Sequence, residues 1–154
     1  MNQFRITGLS AALVDEVRRT RRSPGYGHPV VAEVASGEGP CRSCLGLFRI
    51  GMDERLLFTY RPDSGRQALG APGPVFVHRA ECARYDGTSL PDDLLALPLF
   101  VEGRREDGTI PRSQLAVGAA ASELVTDFLA DPRIDFVFLR HGEAGCHIAR
   151  VDRI

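Results

Sequence analysis

A chain of 154 residues with 44% hydrophobic and 25% charged side chains has the length of one domain, 1–154, and enough apolar content for a packed core; two independent cores and a disordered polymer are both excluded. Nineteen basic against 20 acidic side chains leave a net charge of -1, too balanced a field to select nucleic acid or an anionic membrane as partner. Every basic residue is Arg, and without Lys there is neither a Schiff-base nucleophile nor a P-loop.

The start, Met1 to Ile6, lacks the basic-then-apolar pattern of a secretory leader, and no run approaches the ~18 apolar residues of a membrane span. The expectation is a cytoplasmic protein. In that reducing compartment its four cysteines serve as thiols or metal ligands rather than as disulfides.

In chain order, Ser10 is a good N-cap for a first helix, with Leu9 and Val14 at the positions of a hydrophobic staple. Leu13, Val14 and Val17 form its apolar stripe, and Ser23-Pro24-Gly25 stops it. Arg18, Arg19, Arg21 and Arg22 load the C-terminal end, where cations suit the helix dipole; a solvated helix end is favoured over a phosphate patch. Residues 29–34 read as a strand. Residues 45–50 and 55–60, around Gly51-Met52-Asp53-Glu54, read as a hairpin, and 61–74 as a Pro- and Gly-rich exposed loop.

Val75 to His78 is a short strand. Asp92 and Asp93 before Leu94 have the character of an acidic first helical turn. A strand follows over Leu97 to Glu102, with Pro98 limiting it to an edge or marking its start, and Asp107-Gly108 is a tight turn. Ala121, Leu124, Val125, Phe128 and Leu129 recur at helical spacing; that helix ends at Asp131-Pro132 and begins either near Ser113 or after Gly118. Ile134 to Leu139 and Cys146 to Val151 close the chain as a hairpin around Gly142 and Gly145. The class is α+β: a mostly antiparallel sheet built from hairpins, with two helices packed on one face.

Cys41-Arg42-Ser43-Cys44, followed by Leu45-Gly46, is the sharpest local signal. Two thiolates separated by two residues can converge on one ion in a tight turn, and the glycine lets backbone N–H groups approach the sulfurs. His78 and Cys82 are the candidate third and fourth ligands. If all four converge they complete a Cys3His zinc set which, having four protein ligands, is structural. The competing reading is of separate structural or partly buried cysteines, since free Cys is among the residue types most often buried. A redox use of the same pair needs the first Cys at a helix N-terminus, whereas a strand-prone run follows it here.

Cys146 and His147 are adjacent on a strand and so point to opposite faces; they cannot pair with each other. Arg42, Arg61, Arg79, Arg140 and Arg150 lie near strand ends or turns. If they converge, Arg42, His78, Cys146 and Arg150 are the candidate residues of a site for a carboxylate or phosphate.

Taken together, Gly39-Pro40-Cys41-Arg42-Ser43-Cys44-Leu45, Leu57-Phe58-Thr59-Tyr60-Arg61-Pro62, Gly73-Pro74-Val75-Phe76-Val77-His78 with Glu81-Cys82, and Gly145-Cys146-His147 with Arg150 resemble one family. With the opening Phe4-Arg5-Ile6-Thr7-Gly8-Leu9, the chain resembles the domain-of-unknown-function family 1203, small bacterial proteins of this length. The resemblance implies no activity, substrate or cofactor. Three readings follow: a non-catalytic binding or structural domain stabilised by zinc; an anion binder or enzyme with an Arg/His/Cys-lined pocket; and a protein-interaction module using the Arg-rich helix end or a sheet edge.

Overall fold

Runs of Val, Leu and Phe broken by Gly- and Asp-bearing turns form strands because branched and aromatic side chains suit a pleated, half-buried surface. The computed structural model describes residues 3–37, 39–62 and 70–154. Among these residues the order is β1 (Phe4–Thr7), α1 (Ala11–Thr20), β2 (Val31–Val34), β3 (Glu54–Tyr60), β4 (Gly73–His78), β5 (Asp86–Gly87), α2 (Asp92–Leu95), β6 (Pro98–Arg104), β7 (Arg112–Val117), α3 (Ala119–Ala130), β8 (Phe136–His141) and β9 (His147–Arg153). A six-stranded sheet runs β5-β1-β9-β8-β6-β7 and a three-stranded sheet β2-β3-β4, with every strand pair antiparallel. The α+β, mostly antiparallel class therefore holds. None of the helices is long and apolar enough to cross a membrane.

The two longer helices divide between the sheets instead of sharing a face. α3 buries Val125, Phe128 and Leu129 against Leu99, Val101, Val137 and Leu139 of the large sheet. α1 buries Val14 and Val17 against Leu56, Phe58, Val75 and Val77 of the small one. Each such side chain contributes about 1.5–3 kcal/mol when fully buried. Ser10 caps α1 as expected, its Oγ accepting from Leu13 N–H at 3.2 Å.

One expected hairpin is absent, and one open boundary is decided. Residues 45–50 form no strand: Leu47 makes only an isolated bridge to Pro40, and a turn from Arg49 to Asp53 follows. β3 pairs instead with β2 and β4. The reason is local, since the Cys41–Leu45 turn bends the chain where a hairpin arm would have to be straight. The open question at Ser113 resolves as a strand, β7, which passes into α3 at Gly118; its φ of 66° is left-handed backbone that glycine adopts without strain. Of the loop expected over 61–74, residues 63–69 lie outside the described residues. Pro98 stands at the start of β6, where its missing N–H breaks no ladder.

Candidate metal centre

Cys41, Ser43 and Cys44 lie in a tight turn that Pro40 and Leu47 bridge at its base, with Cys41 N–H donating to Gly46 O at 2.8 Å and Leu45 N–H to Cys41 O at 2.8 Å. The turn needs a left-handed residue, and that residue is Leu45, with φ of 60°. A bulky side chain is rarely found there, and such a conformation persists only where packing over-determines it. Leu45 is 0% exposed and belongs to the large-sheet core, which anchors the turn. From the other side Gly8 comes so close that a Cβ there would stand 2.0 Å from Ser43 O. Leu9 N–H donates to Arg42 O and Tyr85 N–H to Ser43 O, which ties β1 and the chain before β5 to the same turn.

The end of β4 carries His78 to this turn, and the chain beyond it returns Cys82. The ligand atoms of Cys41, Cys44, His78 and Cys82 all lie within 4.8 Å of one another. A tetrahedral zinc with Zn–S of ~2.3 Å and Zn–N of ~2.0–2.1 Å requires edges of ~3.8 Å between sulfurs and ~3.6 Å between sulfur and nitrogen. Cys41 Sγ to Cys82 Sγ is 3.8 Å and Cys44 Sγ to His78 Nδ1 is 3.6 Å. A disulfide would bring two sulfurs to ~2.05 Å; all four cysteines are free. The sequence-derived Cys3His set is thus brought together in full, within metal-binding reach and with two of its edges at the lengths a tetrahedral zinc requires.

The surroundings favour thiolate at Cys41. Cys41 Sγ accepts from Ser43 N–H at 3.4 Å and from His78 N–H at 3.3 Å. Cys82 Sγ accepts from Arg18 Nη2 at 3.4 Å, and Arg18 Nε donates to His78 O at 3.1 Å. Hydrogen bonding from Cys44 and Cys82 draws the Cys41 thiol far below its ordinary value, while sharing with Cys41 pushes Cys44 up. Hydrogen bonding to Cys41, opposed by burial, raises His78 to about 9. Were a divalent zinc held by three thiolates, the net charge would be -1, and the Arg18 guanidinium at Cys82 would offset it.

His78 Nε2 lies 3.4 Å from Asp53 Oδ2. Asp53 is itself held by the Arg49–Asp53 turn, where the Arg49 backbone N–H and then its side chain lower the carboxyl to about 2. A second carboxylate, Asp93 of α2, accepts Leu47 N–H at 2.9 Å and secures the far side of the turn. Sequence reasoning missed Asp53 and Asp93, whose approach to the turn leaves no local signal. It placed Arg18 in a solvated helix end, yet Arg18 turns inward to Cys82. Among the described residues no helix starts at the Cys41–Cys44 pair, the next element being β3, so the support that a redox motif needs is missing.

The four residues proposed for an anion site do not share one cavity. Arg42 is 4% exposed and is spent on backbone, Nε donating to His147 O at 2.8 Å and Nη1 to Pro40 O at 2.7 Å. His78 belongs to the metal cluster. Cys146 lines a cavity between the sheets, whereas Arg150 lines a different one beside Arg84 and pairs with Asp152 at 2.9 Å. The separation follows from strand geometry, which turns alternate residues to opposite faces, and from a β-bulge at Leu139/Arg140.

No curated protein and no solved structure matches the chain. Residues 38–153 match the family described as protein of unknown function, DUF1203, and this range holds all four candidate ligands. The chain belongs to the DUF1203 family.

Proposed function

We propose that this protein is a non-catalytic binding or structural domain of the cytoplasm, stabilised by one zinc ion held by Cys41, Cys44, His78 and Cys82. The observation that carries the reading is the match of the 3.8 Å and 3.6 Å edges to a tetrahedral zinc site. Four protein ligands leave no open position for water or substrate, so the ion staples and does not catalyse. What it staples is specific: the turn at 41–45, which carries Leu45 of the large core, to the end of β4 in the small sheet. Free thiols of this kind suit a reducing compartment.

Metal analysis of protein purified without added zinc tests the proposal. The expected result is about one equivalent of zinc per chain, with a lower Tm in strong chelator. Less than about a tenth of an equivalent, with folding intact in chelator, removes the metal from the reading, because structural zinc supplies folding free energy.

A further inference from the structure

The face of the six-stranded sheet turned away from α3 carries charge as well as aromatic rings. Register sets Glu102 opposite Phe138 and Arg104 opposite Phe136 across β6 and β8, and Arg140 opposite His147 across β8 and β9. The Glu102 carboxylate is buried and accepts Arg104 Nε through Oε1 at 2.6 Å and Arg140 Nη1 through Oε2 at 3.0 Å. Two guanidinium groups against one carboxylate leave a single positive charge in excess. The His147 ring packs between Tyr60 and Phe138, at centroid distances of 5.6 and 5.0 Å. Burial, followed by the nearby Arg42, holds it neutral at ordinary pH, so it adds no charge.

Between this face and β4 lies a cavity of about 230 Å³ lined by Tyr60, Pro74, Arg104, Phe138, Arg140 and His147. Arg104 Nη1 and Arg140 Nη2 have no hydrogen-bond partner among the described residues. His147 Nδ1 is sealed from solvent and likewise has none. Arg104 is buried and His147 Nδ1 is sealed, and a spare donor or charge at that depth is costly unless something meets it.

We propose that this cavity binds a small monocarboxylate, whose carboxylate is held by the spare N–H groups of Arg104 and Arg140 and whose apolar part rests on Phe138 and Pro74. A single negative charge neutralises the excess of the Glu102 group, whereas a doubly charged phosphate meets stronger repulsion from the buried Glu102 carboxylate. The volume falls below the ~300–1,000 Å³ of pockets for drug-sized ligands, which restricts the guest to a compact acid. None of the four candidate metal ligands lines this cavity.

The test is a titration of the protein as purified with benzoate, benzylamine and inorganic phosphate, followed by Tm and by the NMR signals of the His147 ring. Benzoate is expected to raise Tm and shift the ring signals saturably, phosphate to bind more weakly, and benzylamine not at all. Arg140, 38% exposed at its side chain, is the safer position to change. Arg140→Met is expected to weaken benzoate about tenfold or more through loss of a charge-assisted hydrogen bond. No saturable response of the wild type to benzoate overturns the proposal, and this readout stands even if the variant fails to fold. Tighter binding of phosphate than of benzoate overturns the monocarboxylate assignment, and unchanged benzoate affinity in a folded Arg140→Met overturns the site.

Discussion

His78 Nε2 stands 3.4 Å from Asp53 Oδ2 while the Nδ1 of the same ring faces Cys44 Sγ at 3.6 Å, so one imidazole joins a carboxylate to the thiol cluster. Such a carboxylate fixes the tautomer of a ligating histidine and raises its basicity, and its loss weakens metal binding about 10–100-fold. Asp53→Asn keeps the side-chain shape and is expected to lower zinc affinity by that factor with little change in fold. Competition with a chromophoric chelator measures it; equal affinities would remove Asp53 from the site.

Cys82→Ser is expected to abolish stoichiometric zinc and to lower thermal stability, because a ligand present at about 1,000 times its Kd stabilises a fold by ~4 kcal/mol. Cys146→Ser is the matched control. Cys146 is outside the cluster, its Sγ facing Ala144 O at 3.9 Å, and its replacement is expected to leave metal content and Tm unchanged. Similar metal loss in both variants would mean that the thiols, not the geometry, govern binding.

A Cβ at position 8 would stand 2.0 Å from Ser43 O and 2.9 Å from Arg42 O, both backbone atoms that cannot swing aside. Gly8→Ala therefore forces β1 and the Cys41–Cys44 turn apart. A loss of about 3 kcal/mol or more in urea unfolding is expected, at the upper end for a single substitution, together with weaker zinc retention. A loss under about 0.5 kcal/mol, the level of an ordinary surface change, would show that the close approach is not a constraint.

His147 gives stability a pH dependence. Burial first, then Arg42 from the Cys41–Cys44 turn, Arg140 from β8 and Arg104 from β6, lower its pKa from 6.5 to about 3. The unfolded chain therefore takes up this proton more readily than the folded one. The group's contribution is fully present above pH 6.5 and falls as pH drops towards about 3, with a slope of at most ~1.4 kcal/mol per pH unit. His147→Gln removes that slope. Any acid loss of metal would be common to both proteins, so the reading is the difference between wild type and variant in urea unfolding from pH 7 to 4. A difference independent of pH sinks the assignment.

Local patterns carried far. Ser10 as a cap, the stripe Val14 and Val17, the turn at Asp107-Gly108, and the closing strands at Phe136 and His147 all rest on interactions within a few residues, and these survive folding unchanged. The ligand set was also legible, because CxxC and H-x3-C are short spacings that restrict where a sulfur or imidazole can point. The arm at 45–50 misled for the opposite reason. Its residues have strand propensity, but a bulky Leu45 is held at positive φ by a core assembled from distant segments.

By itself the sequence determined the α+β class, the helix and strand periods, the family and the two short motifs that supply the candidate ligands, since each depends on composition or on residues close along the chain. Only tertiary structure decided that Asp53 and Arg18 serve His78 and Cys82, that each long helix covers a different sheet, and that Arg104 and Arg140 share one buried Glu102 beside a cavity. Those relations join residues 25 to 64 apart in the histidine and cysteine cases and up to 38 apart around Glu102. Pairing at that separation is set by how sheets pack and strands align, for which a single chain of letters carries no periodic trace.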